Sequence, residues 1–205
     1  MQKAETWRLF IAIVLPEGVK DEVEKAQGEL RRGLAEPGVR WTKRTQFHLT
    51  LKFLGDVEAQ RLAALTGALQ RACREFPALQ LRAERVGFFP DPRHPRVIWA
   101  GVQDAAGVLP RLQAAIESAV GDFTSQEPEG KFTGHVTLGR CRAIKPPQAG
   151  ILSRLAGGMG QRFFGEWTAD HVELIRSELL SGGAHYTTLA AVPLAAESGS
   201  GKLSA

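Results

Sequence analysis

Residues 47–55 read FHLTLKFLG, and residues 131–140 read KFTGHVTLGR. Each stretch contains a histidine and a threonine two residues apart, inside a short run of alternating polar and apolar side chains. The pairs are His48 with Thr50 and, 87 positions later, His135 with Thr137. A period of two predicts a β-strand. The histidine and threonine of each pair therefore share one face of their strand.

Strict alternation also assigns the neighbours of each pair. On the first strand it predicts that Lys52 shares the face of His48 and Thr50. The core face of that strand then carries Leu49, Leu51 and Phe53, and the core face of the second strand carries Val136 and Leu138.

Arg140 does not fit simple alternation on the second strand. It lies five residues after His135, so an unbroken strand would turn it to the opposite face. If Arg140 is to share the face of His135, the strand must end or bulge near Gly139, where glycine makes a bulge easier. An unbroken strand would remove Arg140 from any role beside the histidines.

Two imidazoles that face each other across a groove supply one acid and one base, because histidine titrates near neutral pH. Threonine hydroxyls can hold anionic oxygens, and Lys52 and Arg140 can supply positive charge for a phosphate. This set of groups is suited to in-line displacement at phosphorus without a metal. A base takes a proton from the nucleophile, and an acid gives one to the leaving oxygen.

The charge distribution supports a phosphate-binding groove. The chain has 205 residues, and its formal net charge of +4 is too small to indicate a nucleic-acid partner. However, residues 37–55 contain four bases and no acid, and residues 130–165 contain six bases and no acid, whereas the rest of the chain has 16 bases and 22 acids. We therefore expect the two basic windows, each containing one histidine motif, to converge on one groove.

Composition and hydrophobic patterning indicate an α+β fold. With 43% hydrophobic and 23% charged residues, the chain is typical of globular proteins and long enough to bury a core. Helices are predicted from Pro16 to Gly33, after Asp56 as an N-cap, over residues 109–120 and near residues 151–156. Strands are predicted at residues 7–15, 39–42, 47–53, 79–88, 97–102, 135–140, 171–180 and 186–192. Strands and helices do not alternate strictly, which favours α+β over α/β.

A metal site is the competing interpretation of the histidines. No two of them have the short spacing of a helix or loop ligand set, and neither basic window contains an acidic ligand. The sequence also lacks a Walker A loop, a GxSxG elbow and a GxGxxG fingerprint. Two lone cysteines indicate a reducing compartment, and the N-terminus lacks the layout of a signal peptide, so we expect a cytoplasmic protein without a membrane span.

The doubled motif and its surroundings resemble the 2H phosphoesterase superfamily, in particular the RNA 2′,3′-cyclic phosphodiesterases that are also called 2′-5′ RNA ligases. The resemblance extends over residues 8–194. The matching segments are RLFIAI (8–13), VRW (39–41), FHLTLKFLG (47–55), RVIWAGV (96–102), KFTGHVTLGR (131–140), IRSEL (175–179) and the stretch around Tyr186.

This resemblance implies a bilobal fold over residues 1–194, followed by a flexible tail over residues 195–205. Two pseudo-symmetric lobes of antiparallel sheet, with helices packed outside, would face each other across a central groove. The implied activity opens RNA 2′,3′-cyclic phosphates to 2′-phosphates, with a reversible 2′-5′ ligation, and uses no metal or other cofactor. The implied partner is RNA with a 2′,3′-cyclic phosphate end, and we expect a monomer.

The resemblance also implies roles for single residues. His48 would be the general acid at the ribose O3′, and His135 would be the general base that activates water. Thr50, Thr137 and Arg140 would hold the phosphate oxygens. Ligation and hydrolysis run the two histidines in opposite senses, so this resemblance does not decide which one is the acid.

Three further residues are candidate RNA contacts. Trp41 and Phe132 can stack on a base, although core packing is the alternative for both aromatic rings. Arg176 is a candidate groove cation, with an ion pair at the strand end as its alternative. Two positions differ from the family pattern, since Gly134 replaces a proline and Ile175 replaces a tyrosine.

Two other functions remain open at this point. One is a phosphodiesterase for small cyclic nucleotides, which comparison of a cyclic mononucleotide with an oligonucleotide would distinguish. The other is a non-catalytic module that binds RNA ends, which would form no product from bound RNA.

Overall fold

The computed structural model describes residues 5–34, 38–127, 130–181 and 183–195. Within them, strands and α-helices follow one another without a regular βαβ repeat. The strands are β1 (Thr6–Val14), β2 (Val39–Trp41), β3 (His48–Glu58), β4 (Leu79–Phe89), β5 (Val97–Gln103), β6 (His135–Cys141), β7 (Phe163–Ala169), β8 (His171–Leu180) and β9 (Gly183–Pro193). The α-helices are α1 (Glu17–Gly33), α2 (Leu62–Cys73), α3 (Val108–Ala119) and α4 (Pro146–Gly157).

All of these strands join one antiparallel sheet, in the order β7-β4-β5-β6-β3-β1-β8-β9, with β2 paired to β6. One half of the sheet contains β3, β1, β8 and β9, and the other contains β6, β5, β4 and β7. The halves meet where β3 lies beside β6, and Leu49 opposite Val136 is the one register pair between these strands in the described residues. The predicted α+β class is confirmed, and the two lobes share a continuous sheet.

The helices cover one face of the sheet. Helices α2 and α3 pack on each other and against β9 and β3, whereas α1 and α4 pack on each other and against β7 and β4. Leu9, Ile11 and Ile13 of β1 are buried beneath them. Burial of each such side chain contributes about 1.5–3 kcal/mol. This burial fixes which face of every strand is inward and leaves the opposite face for the site.

The structure corrects three predicted elements. Asp56 does not cap a helix, because β3 pairs with β1 as far as Glu58 and α2 begins at Leu62. Helix α4 is longer than the short helix predicted near residues 151–156. Strand β7 was not predicted, because Gly165, at φ 140°, interrupts the alternation that would have indicated it.

The chain is still attached to the fold at the predicted start of the tail. Ala195 forms a bridge with Pro77, and its N–H donates a hydrogen bond of 2.7 Å to the carbonyl of Phe76. Residues 196–205 of the predicted tail lie outside the described residues. Cys73 and Cys141 are free thiols. None of the helices in the described ranges is long and apolar enough to cross a membrane.

Candidate active site

The two histidines are held in the same way. The Nδ1–H of His48 donates to the backbone carbonyl of Gln46 at 2.8 Å, and the Nδ1–H of His135 donates to the carbonyl of Thr133 at 2.8 Å. A carbonyl oxygen only accepts, so each Nδ1 carries a hydrogen. The exchangeable proton of each ring therefore belongs to Nε2, which is the arrangement that an acid or a base requires.

The join between the two halves of the sheet brings the motifs together. Leu49 pairs with Val136 in antiparallel register. Continuing that register by one residue in each direction sets His48 beside Thr137 and Thr50 beside His135. Each histidine is adjacent in sequence to a residue of the observed pair, so the predicted convergence of the two motifs on one groove follows from a single strand pairing.

The environment of His48 favours its neutral form. The pKa of His48 is lowered from 6.5 to about 4. Burial is the largest cause, the charges of His135 and Arg140 act in the same direction, and the hydrogen bond to Gln46 acts in the opposite direction. These charge effects also place His135 and Arg140 close enough to act on His48. In the free protein at neutral pH, the Nε2 of His48 therefore carries a lone pair.

The prediction that Lys52 shares the face of His48 is wrong. Lys52 is 1% exposed, forms an ion pair with Glu117 of α3, and donates to the carbonyl of Glu127 at 3.3 Å. The cause is a β-bulge at Leu51, because the register of β1 with β3 skips that residue. Beyond a bulge the two faces exchange, so Lys52 points toward the helices and cannot hold a phosphate in the groove.

The same bulge reverses the assignment of Phe53. Predicted to face the core, Phe53 is instead 42% exposed, and its ring centroid lies 5.9 Å from that of Phe10. Phe10 in turn contacts His48, with ring centroids 4.8 Å apart. Phe53 therefore extends the groove surface on the side of His48.

A bulge in β6 turns Arg140 into the groove. The register of β5 with β6 passes from Gly139 to Thr137 and skips Leu138. The bulge that Arg140 required next to Gly139 is present, so Arg140 returns to the face of His135. Its effect on the pKa of His48 agrees with this position.

The bulges make the two motifs equivalent beyond the histidines and threonines. The same 87-residue offset that relates His48 to His135 relates Leu51 to Leu138 and Phe53 to Arg140. Both bulges omit the equivalent leucine from the register. The groove is therefore asymmetric at one pair of positions, with an aromatic ring on the β3 side and a guanidinium on the β6 side.

Aromatic rings that the motif analysis did not select surround both histidines. The Tyr186 ring meets His48 edge-on, with centroids 5.5 Å apart, and also meets Phe10 at 5.0 Å. On the other side, the Phe89 ring meets His135 edge-on at 5.0 Å. Phe10 and Tyr186 lie in segments that resemble the family, which was the available signal, but sequence spacing could not place them beside His48.

Cations from three strands surround the same site. Burial raises the pKa of the Tyr186 phenol, and three guanidinium groups near the phenol oppose that rise: those of Arg8, Arg40 and Arg140. Arg40 lies opposite Arg140 in the pairing of β2 with β6. The two basic windows thus converge through Arg40 and Arg140, and Arg8 of β1 joins them from outside either window.

Other bases of the windows lie elsewhere. Arg44 forms ion pairs with three acids of α1, namely Glu17, Asp21 and Glu24. Arg162 pairs with Glu29. Acids that are distant in sequence therefore neutralise part of each window, so only a fraction of the predicted positive charge is directed into the groove.

The three candidate RNA contacts have different surroundings. Arg176 forms an ion pair with Glu178 at 3.0 Å and lies 4.6 Å above the ring of Trp7. Trp7 packs against the main core on the face opposite the groove, so the prediction of Arg176 as a groove cation is wrong and its ion-pair alternative is confirmed. Trp41 packs on Gly139 and the core. Phe132 also touches the core, and it lines a cavity next to His135.

The two departures from the family pattern have local explanations. A Cβ at Gly134 would lie 2.3 Å from the carbonyl oxygen of Val102, so a glycine allows β5 to approach the residue before His135. Ile175 is 4% exposed and packs with Phe10 and Ala12 beneath the groove. Neither residue replaces a group that the proposed chemistry uses.

The described residues contain no group of three or more histidine, cysteine, aspartate and glutamate side chains that could hold a metal ion. The charged groups that lower the pKa of His48 are His135 and Arg140. The arrangement is therefore one of two imidazoles with neutral hydroxyls and guanidinium groups, which can transfer protons and bind an anion.

Comparison with known proteins places this chain in a family. A family model described as LigT like Phosphoesterase matches residues 13–99. An RNA 2′,3′-cyclic phosphodiesterase of Methanothermobacter thermautotrophicus is 30% identical over 184 residues, which cover 89% of this chain and 96% of that protein. The chain belongs to the LigT-like phosphoesterase family. An RNA 2′,3′-cyclic phosphodiesterase of Thermus thermophilus is 32% identical over 199 residues, which cover 94% of this chain and 92% of that protein.

Two solved structures have the same fold as this chain. TT0787 of Thermus thermophilus superposes with a TM-score of 0.74 at 29% identity, covering 93% of this chain and 99% of that one. Escherichia coli LigT, in complex with 3′-AMP, superposes with a TM-score of 0.70 at 25% identity over the same shares of the two chains. The resemblance to 2H phosphoesterases that the sequence motifs indicated is thereby confirmed.

Proposed function

We propose that this protein is an RNA 2′,3′-cyclic phosphodiesterase that opens the cyclic phosphate to a 2′-phosphate by two-histidine acid/base catalysis without a metal. The observation that carries this proposal is the matched pair of imidazoles on β3 and β6. Each has its Nδ1–H fixed by a backbone carbonyl, and Arg140 lies near enough to affect the pKa of His48. Relatives over nearly the whole chain have that name.

Hydrolysis is an in-line displacement at phosphorus. His135 Nε2 takes a proton from water, and the water oxygen forms a bond to phosphorus opposite O3′. The P–O3′ bond breaks as His48 Nε2–H donates its proton to O3′, which leaves a 3′-hydroxyl and a 2′-phosphate. Thr50 and Thr137 donate hydrogen bonds to the two non-bridging oxygens, and Arg140 balances their negative charge.

Protonation of His48 is coupled to substrate binding in this mechanism. With a pKa of about 4, His48 is neutral in the free protein at pH 7. The bound phosphodiester contributes a negative charge that offsets the effects of His135 and Arg140, which raises the pKa of His48. The substrate thus helps to place the proton that its own leaving group requires.

The same geometry supports ligation. A 5′-hydroxyl of a second RNA replaces water, loses its proton to His135, and forms the P–O5′ bond while O3′ leaves with a proton from His48. The product is a 2′-5′ phosphodiester, and the reverse reaction uses each histidine in the opposite sense. The terminal nucleoside then lies on the His48 side, near Phe53 and Tyr186.

A product assay tests the proposal. RNA with a labelled 2′,3′-cyclic phosphate end should give a 2′-phosphate, and the assay should separate it from 3′-phosphate and ligated products. Comparing kcat/KM for a cyclic mononucleotide and for an oligonucleotide with the same end distinguishes RNA from small cyclic nucleotides. We expect the oligonucleotide to be the better substrate, because the groove surface continues beyond the histidines. Binding without any product would leave only the RNA-end-binding function.

A further inference from the structure

Trp99 of β5 lies on the groove face of the sheet, over the backbone of two glycines. It pairs with Thr137 on one side and with Gly87 on the other, and paired residues share a face. A Cβ at Gly87 would lie 2.2 Å from the indole, and one at Gly101 would lie 3.3 Å from it. The ring therefore covers backbone where side chains are missing.

The ring of Phe89 lies between the indole of Trp99 and the imidazole of His135. The Phe89 centroid is 5.3 Å from that of Trp99 and 5.0 Å from that of His135. Gly101, which touches the indole, pairs directly with His135. Trp99 is partly exposed, so an aromatic surface is available on the side where the nucleophile enters.

A cavity whose lining includes two cations lies next to the indole, on the far side of Gly101. Its volume is about 310 Å³, at the lower end of small-ligand pockets, and its lining includes Arg85, Gly101, Lys131, Phe132 and Gly134. Arg85 is the extra residue of a bulge in β4, with φ 51°, and its guanidinium lies 5.9 Å above the Trp99 ring. The guanidinium of this residue with an unusual backbone thus lies beside the indole.

The carboxylates that line the same cavity are engaged. Glu84 accepts hydrogen bonds from Arg82 and Gln103. Asp104 accepts hydrogen bonds from two backbone N–H groups at the start of α3, at 3.2 and 2.6 Å. Within the described residues, these hydrogen bonds join the two carboxylates to groups other than Arg85 and Lys131, and the two cations can meet a phosphate beside the aromatic surface.

We propose that Trp99 is the stacking platform for the first base of an RNA with a 5′-hydroxyl end, the nucleophile of the ligation direction. The inference rests on the proposed function. In-line attack puts the incoming oxygen opposite O3′, hence on the His135 side, where Trp99 lies. The 5′-hydroxyl nucleoside sets its base on the indole, and the phosphate that follows it meets Arg85 and Lys131.

Inhibition of hydrolysis tests this platform. A 5′-hydroxyl trinucleotide should reduce formation of 2′-phosphate from a cyclic mononucleotide, because it displaces water at His135. Removal of the first base should raise its inhibition constant by about tenfold, since one base stack contributes roughly 1–3 kcal/mol. With Trp99→Leu, which keeps an apolar cover over Gly87, intact and abasic trinucleotides should inhibit equally.

Matched variants distinguish stacking from misfolding. Trp99→Phe should restore part of the dependence on the first base, and Trp7→Leu, on the opposite face, should leave that dependence as in the wild type. The platform is contradicted if Trp99→Leu still distinguishes the intact from the abasic trinucleotide, or if the wild type hydrolyses the mononucleotide with no inhibition by either. In both cases the proposed hydrolysis stands, whereas a wild type without hydrolysis overturns that proposal and the platform together.

Discussion

At the scale of single residues, the protonation of His48 is the most informative property. Burial is the largest of the effects that lower its pKa to about 4, and the charges of His135 and Arg140 add to it. The hydrogen bond from Nδ1–H to the Gln46 carbonyl fixes the ring but does not compensate. This imidazole is thus held neutral, chiefly by burial, until an anion arrives.

This pKa predicts the acid side of the pH–rate profile. Catalysis needs one neutral and one protonated imidazole, and activity is lost in acid when the second ring is protonated. That step should follow the lower pKa of the coupled pair, so kcat/KM should decline only below about pH 4. The measurement is kcat/KM for a cyclic mononucleotide from pH 3.5 to 9, with circular dichroism as a control for acid unfolding. A decline near pH 6.5, the ordinary value for histidine, would contradict it.

At the scale of elements, two β-bulges decide which cation serves the site. Lys52 and Arg140 both follow a histidine motif, and sequence alternation favoured Lys52 and disfavoured Arg140. One skipped leucine in each strand reverses both assignments. Gly139 made a bulge in β6 easy to anticipate, whereas nothing at Leu51 and Lys52 indicates one in β3. There the bulge is set by pairing with β1 and by the partly buried carboxylate of Glu117, which sequence spacing does not reveal.

Substitution of Lys52 should therefore lower stability, whereas substitution of Arg140 should impair catalysis. Lys52→Met leaves Glu117, 19% exposed, without its cation, which should lower the free energy of unfolding by about 2 kcal/mol. The KM for a cyclic phosphate should not change. Denaturant unfolding and steady-state kinetics on the same samples measure both quantities.

Arg140→Met is the matched comparison. Arg140 is exposed, so its loss should change the free energy of unfolding by less than about 0.5 kcal/mol, while KM rises and kcat falls. A rise in KM for Lys52→Met that equals the rise for Arg140→Met would contradict the bulge in β3.

At the scale of the whole molecule, one strand pairing joins two half-sheets and thereby assembles the site. The sequence alone predicted the α+β class and the meeting of the two histidines, because period-two alternation and a repeated motif can be recognised locally. The continuous sheet, strand β7 and the aromatic surroundings of His48 depend on pairing between distant segments. At Asp56 the local signal was misleading, since pairing with β1 extends β3 past a residue that is otherwise a good helix N-cap.

The convergence of Arg8, Arg40 and Arg140 on the groove predicts a salt dependence that grows with substrate length. An oligonucleotide presents several phosphates to these cations and releases more counterions than a mononucleotide does. The logarithm of kcat/KM should therefore fall more steeply with the logarithm of salt concentration for a cyclic-phosphate oligonucleotide than for a cyclic mononucleotide. Equal slopes would show that cations which do not contact the reacting phosphate do not bind the rest of the RNA.

Hydrolysis of RNA with a labelled 2′,3′-cyclic phosphate end, in the presence of EDTA, tests the central claim most directly. The wild type should form the 2′-phosphate at the same rate with and without EDTA. His48→Ala and His135→Ala should each lose at least about 10²-fold in rate, as expected for loss of a general acid or base, while their circular dichroism stays that of the wild type. Loss of wild-type activity in EDTA, a 3′-phosphate product, or wild-type rates in either variant would contradict the two-histidine mechanism.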